Sequence, residues 1–210
     1  MTLRRIDSNA EQELANFLDR YLYTNIQGFN SRRCIDREEQ LIGMDVVLSN
    51  IDDSTEIVID EKAQLHYINN NLHTFAFEVD SLQRGNLTPG WLFNERYVTT
   101  HYMLIYPNAV HSDLNRITEN DFTKVGCLLI ERLSVIRYLE DRGWNKSRIE
   151  EKAIELRENN DFGRHRIPNE RFSFVFTEHL AEQPINIVIR KEILSELSCQ
   201  IFNVSNKGIE

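Results

Sequence analysis

Residues 43–64, GMDVVLSNIDDSTEIVIDEKAQ, restrict the fold of this chain more than any other stretch. Two apolar runs of strand character, residues 44–48 and 56–59, flank a polar knot, Asn50-Ile51-Asp52-Asp53-Ser54, whose residue types favour a tight turn. With the turn centred between Asp52 and Asp53, Leu48 pairs with Ile57, Val46 with Ile59, and Asp45 with Asp60. Residues directly opposite share a face, with Cβ atoms about 4.5–5.5 Å apart. Alternation then puts Asp60, Lys62 and Gln64 on one face and turns Val46, Leu48, Ile57 and Ile59 into a core.

Two carboxylates held this close repel one another, so the register makes sense when positive charge lies between them. A divalent cation or the ammonium of Lys62 would serve. Carboxylate oxygen suits Mg²⁺, which takes one or two protein carboxylates and completes its shell with water and phosphate oxygens. A lysine beside such an ion can orient the attacking water and offset charge building on the phosphate. The face Asp45, Asp60, Lys62 therefore reads as a phosphodiester-cleaving site. The bland alternative is a solvated sheet edge whose charges discourage pairing with other chains.

Asp45, a hairpin turn, then Asp60-Glu61-Lys62 resembles the D…(D/E)xK signature of the restriction-endonuclease-like, or PD-(D/E)xK, nucleases. The resemblance implies that Asp45 and Asp60 bind metal, that the main-chain carbonyl of Glu61 is a further ligand, and that Lys62 is the catalytic lysine. Gln64 is similar to a glutamine that some branches carry on the same strand. Met44 stands where the signature's proline would be, a departure many members share. An acidic residue on the preceding helix often completes such sites; Glu11 is the candidate here and Glu13 the reserve.

The remaining composition is that of an ordinary soluble globular protein of 210 residues. Three widely spaced cysteines, Cys34, Cys127 and Cys199, argue against a disulfide framework, and the histidines show no zinc spacing with them. With no apolar run of membrane-spanning length and no signal-peptide pattern, a cytoplasmic protein away from membranes is expected. The net charge of −9 counts against a simple electrostatic grip on nucleic acid, so contact with DNA would rest on the metal and on local basic spots. Arg32 and Arg33 before the hairpin, and Arg164 and Arg166 in the densest basic stretch, are the candidates.

Apolar spacing predicts a helix over residues 9–23, with Ser8 or Asn9 as cap and Glu11 within the apolar arc. Residues 30–40 read as a polar loop and 72–79 as a third strand, with Glu78 opposite its apolar side. A buried strand over 102–106 follows. Thr118-Glu119-Asn120-Asp121 has the form of a capping box opening a long helix that Gly143 stops. Ser147-Arg148-Ile149-Glu150 suggests a second, shorter helix to about Arg157. Residues 159–169 read as a loop, 172–176 and 185–189 as strands, 191–197 as a helical turn, and 203–210 as a fraying end.

The order predicts an α/β (α+β) protein with a mixed central β-sheet flanked by helices: an αβββαβ endonuclease-like core with an extra C-terminal helix and strands. One domain is expected over residues 1–210, its core about 9–142 and its elaboration about 143–202. The expected function is a DNA endonuclease using Mg²⁺, with Mn²⁺ as substitute, and cutting both strands of a duplex would call for a homodimer. The alternative is a binding module on the same scaffold whose carboxylates are catalytically idle. A serine or cysteine hydrolase finds no support, since no GxSxG elbow occurs and no cysteine has a histidine in a suggestive pattern.

Overall fold

A computed structural model describes residues 3–210, with side chains from Asp7 onward. In chain order, helix α1 (Leu3–Tyr21) leads to β1 (Phe29–Arg33), the short α2 (Arg37–Leu41) and the hairpin β2 (Val46–Asn50) and β3 (Glu56–Ala63). Strands β4 (Thr74–Gln83), β5 (Asn86–Pro89), β6 (His101–Ala109) and β7 (Phe122–Glu131) follow, then helices α3 (Arg132–Glu140) and α4 (Lys146–Glu158). The chain continues through β8 (Gly163–Arg166), β9 (Phe172–Phe176), β10 (Ile185–Arg190), α5 (Lys191–Leu197), β11 (Gln200–Ser205) and β12 (Gly208–Ile209). The class is mixed α/β, as the sequence predicts.

These elements group into two compact units, neither of them one continuous stretch: residues 1–72, 98–131 and 198–210 form the first, and 73–97 and 132–197 the second. No linker composition marks the crossings, which is why the sequence suggests a single domain.

The first unit is a seven-stranded sheet in the order β1-β2-β3-β6-β7-β11-β12. The hairpin has the predicted register, Val46 opposite Ile59 and Leu48 opposite Ile57. Its apolar face, with Val46, Leu48, Ile59, Met103, Ile105 and Leu129, packs with Ala10, Leu14, Phe17 and Leu18 of α1 into one core. Burying such side chains is worth roughly 1.5–3 kcal/mol each relative to exposure, enough to fix which face of β3 points inward. Helix α1 begins well before Ser8, so neither Ser8 nor Asn9 caps it.

Beside β3 lies β6, and the pair is parallel, Asp60 opposite Tyr102 and Lys62 opposite Leu104. The strand expected third in the core, now β4, belongs instead to the second unit's sheet. The predicted helix after residue 118 also needs correction. The capping box forms around Thr118 and Asp121, but it closes a single 3-10 turn, and β7 follows. β7 lies between β6 and β11, and its consecutive residues Cys127 to Ile130 are all buried, so both faces of the strand are covered there and its run of apolar residues mimics a helix. The predicted loop at 30–40 holds β1 and α2, and the predicted fraying end supplies β11 and β12, with Val204 paired to Val125 and buried.

The second unit is a five-stranded antiparallel sheet in the order β5-β4-β10-β9-β8. One face carries Phe75, Phe77, Phe172, Phe174, Ile187 and Ile189, all buried. Trp144 packs there, its ring 5.4 Å from that of Phe174. Gly143 ends the α3 segment with φ +77°, as the sequence suggests, its N–H bonded to the Glu140 carbonyl. Helix α4 is capped by the Asn145 side chain, which accepts from the Arg148 N–H, and so starts before the predicted Ser147 box. The predicted loop at 159–169 contains β8, which carries Arg164 and Arg166.

Candidate functional site

Asp45 precedes β2 and is fixed by its backbone on both sides: its N–H bonds the Ile59 carbonyl at 2.9 Å, and its carbonyl accepts from Cys34 N–H at 2.8 Å. The approach to it is pinned as well. The Thr99 hydroxyl donates to the Gly43 carbonyl at 2.7 Å, and Gly43 takes φ +76°, a conformation that suits glycine. Asp45 Oδ2 then accepts the Glu61 N–H at 2.8 Å, so this side chain lies across β3 at the Asp60–Lys62 segment.

Asp60 is buried, with 2% of its surface exposed. Its Oδ1 pairs with Lys62 Nζ at 2.6 Å, while its Oδ2 is buried with no hydrogen-bond partner. A buried carboxylate oxygen without a donor is costly, since desolvation goes uncompensated. Burial pushes the Asp45 carboxyl up to about 6, and the adjacent Asp60 carboxylate pushes the same way; the Glu61 N–H and the Lys62 ammonium act against them. The two carboxyl groups therefore interact directly, as the register argument requires.

Glu11 on α1 belongs to this group. Partial desolvation raises its carboxyl first, then Asp7; Lys62 lowers it, Asp45 raises it again and His66 lowers it. Its residue surface is nevertheless open to solvent, so it does not sit on the buried stripe where helical spacing puts it. Glu13, the reserve, is used elsewhere: its Oε2 accepts the Glu119 N–H at 2.8 Å and tethers the turn before β7. Gln64 lies one residue past the end of β3, where it opens a 3-10 turn and lines a small cleft with Tyr106 and Asn108. The structure thus brings Asp45, Asp60 and Lys62 together, leaves Glu11 only within electrostatic reach of Asp45 and Lys62, and sets Gln64 at the margin.

Glu61 points to the opposite face. Its Oε1 accepts from the Tyr23 hydroxyl at 2.7 Å, and Arg33 Nη1 meets its Oε2 at 2.5 Å. Arg33 also grips Asp19 of α1 at 2.7 Å, so Tyr23, Glu61, Arg33 and Asp19 form one network under the helix. Burial raises the Glu61 carboxyl, and Arg33 and Tyr23 pull it back. Nothing in the local sequence announces this network, whose members are far apart along the chain. It takes Arg33 away from the phosphate-binding role expected of it. Arg32 stays more exposed, in an ion pair with Glu39 at 2.9 Å. Arg164 and Arg166 lie on β8 of the other unit.

Asp45 and Asp60 fit one hard cation as two adjacent carboxylates with one oxygen unsatisfied; the main-chain group that Glu61 presents to Asp45 is its N–H, a donor and not the carbonyl ligand expected of it. They do not make a full protein cage. Among the described residues, no group of three or more His, Cys, Asp or Glu side chains is placed to hold a metal ion. Mg²⁺ keeps several waters and needs no such cage. Among the described residues no helix is long and apolar enough to cross a membrane. Comparisons with family models, with curated proteins and with solved structures find no match for this chain.

Proposed function

We propose that the protein is a Mg²⁺-dependent nuclease that hydrolyses DNA phosphodiester bonds, with Asp45, Asp60, Lys62 and Glu11 as its working groups. The observation that carries this reading is the buried Asp60 Oδ2, left without a partner beside the Asp45 carboxyl. Asp45 and Asp60 would hold the ion, with Mn²⁺ as substitute. When bound, the metal supplies an activated water and a counter-charge to the phosphate. Lys62, held by Asp60 Oδ1, places an ammonium beside the same oxygens, where it orients water and stabilises charge on the phosphate. Glu11 adds a carboxylate at the rim that can accept a proton.

The test is cleavage of plasmid, linear, single-stranded and junction DNA with added Mg²⁺ or Mn²⁺. Wild type is expected to cut, and Asp45→Asn and Lys62→Ala to be inert while still folded. Cleavage retained by either purified variant refutes the assignment.

One observation favours a second reading, a catalytically idle binding module. The Lys62 ammonium already neutralises half of Asp60, as a built-in replacement for a cation would. Calorimetry with Mn²⁺ separates the two: heat that disappears in Asp45→Asn supports the nuclease, and no heat from wild type supports the idle scaffold.

A further inference from the structure

One face of the second unit's sheet is aromatic and aliphatic; the other carries charge at its β8–β10 end. There the exposed Arg164 and Arg166 of β8 and Arg190 at the end of β10 surround Ser173, opposite Arg166, and Val188, opposite Ser173, both buried. Arg171 joins them, and the groove they line has a volume of about 300 Å³. In a chain of net charge −9, four arginines around one groove are a strong local reversal of sign.

Two carboxylates oppose them. Glu170, which also lines the groove, pairs with Arg142 at 3.4 Å, and Glu192 pairs with Arg171 and, at 3.6 Å, with Arg190. The side chains of Arg171 and Arg190 nonetheless remain about 60% exposed. Arg164 donates to the Ser173 hydroxyl at 2.9 Å, a neutral partner that holds it across the sheet without cancelling its charge. Two arginines at i and i+2 on a strand project from the same side roughly 7 Å apart, which suits successive anionic groups along a polymer.

We infer that this face is a docking surface for the phosphate backbone of duplex DNA. Guanidinium forks match phosphate oxygens and carry most sequence-independent affinity. Single strands are gripped differently, by aromatic rings on which bases stack. The ring that borders this groove, Phe172, is 4% exposed and packs against Trp144 and Tyr138 on the core side. With charge present and no stacking platform, the face recognises backbone rather than bases. The choice of DNA rests on the nuclease reading; the existence of a polyanion face does not.

The test is fluorescence anisotropy of the full chain with a short labelled duplex in EDTA, so that binding is read without cleavage. Wild type is expected to bind with strong salt dependence. Arg164→Gln with Arg166→Gln should weaken binding about tenfold or more and reduce the log–log salt slope by about 2, one for each arginine–phosphate pair removed. Arg166→Gln alone, which leaves the Arg164–Ser173 hydrogen bond intact, should show about half the change in slope. Because binding is read in EDTA and cleavage is not measured, failure of the catalytic reading leaves this result standing. Unchanged affinity in both arginine variants overturns the inference. So does tighter binding of the matching single strand, or equal competition by an oligo-glutamate peptide.

Discussion

Asp60 and Glu61 are neighbours on β3, both acidic and both largely buried, yet the two faces of the strand treat them in opposite ways. On the helix side, Glu61 has a hydroxyl and a guanidinium on its oxygens, and Arg33 is itself held by Asp19. On the other side, Asp60 has one ammonium, and the Asp45 carboxyl beside it supplies like charge rather than a complement. Glu61 comes with its complement; Asp60 is only half compensated, which is the difference the proposed metal site rests on. The contrast is visible only from the partners, since both residues look alike in sequence.

Removing the cation from each face in turn tests this difference most severely. On the proposed reading the Lys62 ammonium acts on the reacting phosphate, so Lys62→Ala should lower DNA cleavage per folded molecule about a thousandfold or more, and by stranding the buried Asp60 carboxylate it should lower the urea midpoint as well. If activity survives, the unsatisfied face has no catalytic role. Arg33→Ala should cost stability without the catalytic loss, about 3 kcal/mol in urea titration by stranding Glu61, with cleavage per folded molecule retained. A smaller effect concerns pH. Asp45 titrates at about 6 in the folded protein against an ordinary 3.8, so its protonated form is the one the fold prefers. Its contribution to stability is full below the unfolded value and is lost as pH rises through about 6. Metal-free protein should lose about 2 kcal/mol of stability from this group between about pH 4 and 7. Asp45→Asn should remove that slope and Mg²⁺ flatten it; a slope unchanged in the variant would show that the two carboxyls do not interact. Smallest of all, Arg32→Ala breaks an exposed, solvent-screened pair with Glu39 and should leave the urea midpoint essentially unchanged.

The sequence revealed what is local. The hairpin register followed from a turn and a period of two, and with it the meeting of Asp45 and Asp60. The capping box at Thr118 was legible too, because its partners are three residues apart. The element after it was not: successive residues of β7 such as Cys127 and Leu128 are buried on opposite faces of the strand, and an uninterrupted apolar run fits a buried helix equally well. The destination of β4 was hidden for a related reason. Alternating Phe75 and Phe77 say that one face is buried, but not against which sheet. Arg33 looked free because its partners, Asp19 and Glu61, lie 14 and 28 residues away. Long-range pairing of this kind leaves no periodic trace.

The interleaving of the two units bears on how the protein is made. β3 cannot gain its parallel neighbour until residues 73–97 have been synthesised, and β7 meets β11 only after the whole of the other unit has left the ribosome. Pairings separated so widely carry a large loop-closure cost and form late. An emerging chain therefore offers its hairpin, with two acidic groups and a lysine, as an unfinished sheet edge until β6 has been made. Those charges discourage pairing with other nascent chains during that interval. The groups we assign to hydrolysis would then also guard the protein while it is being born.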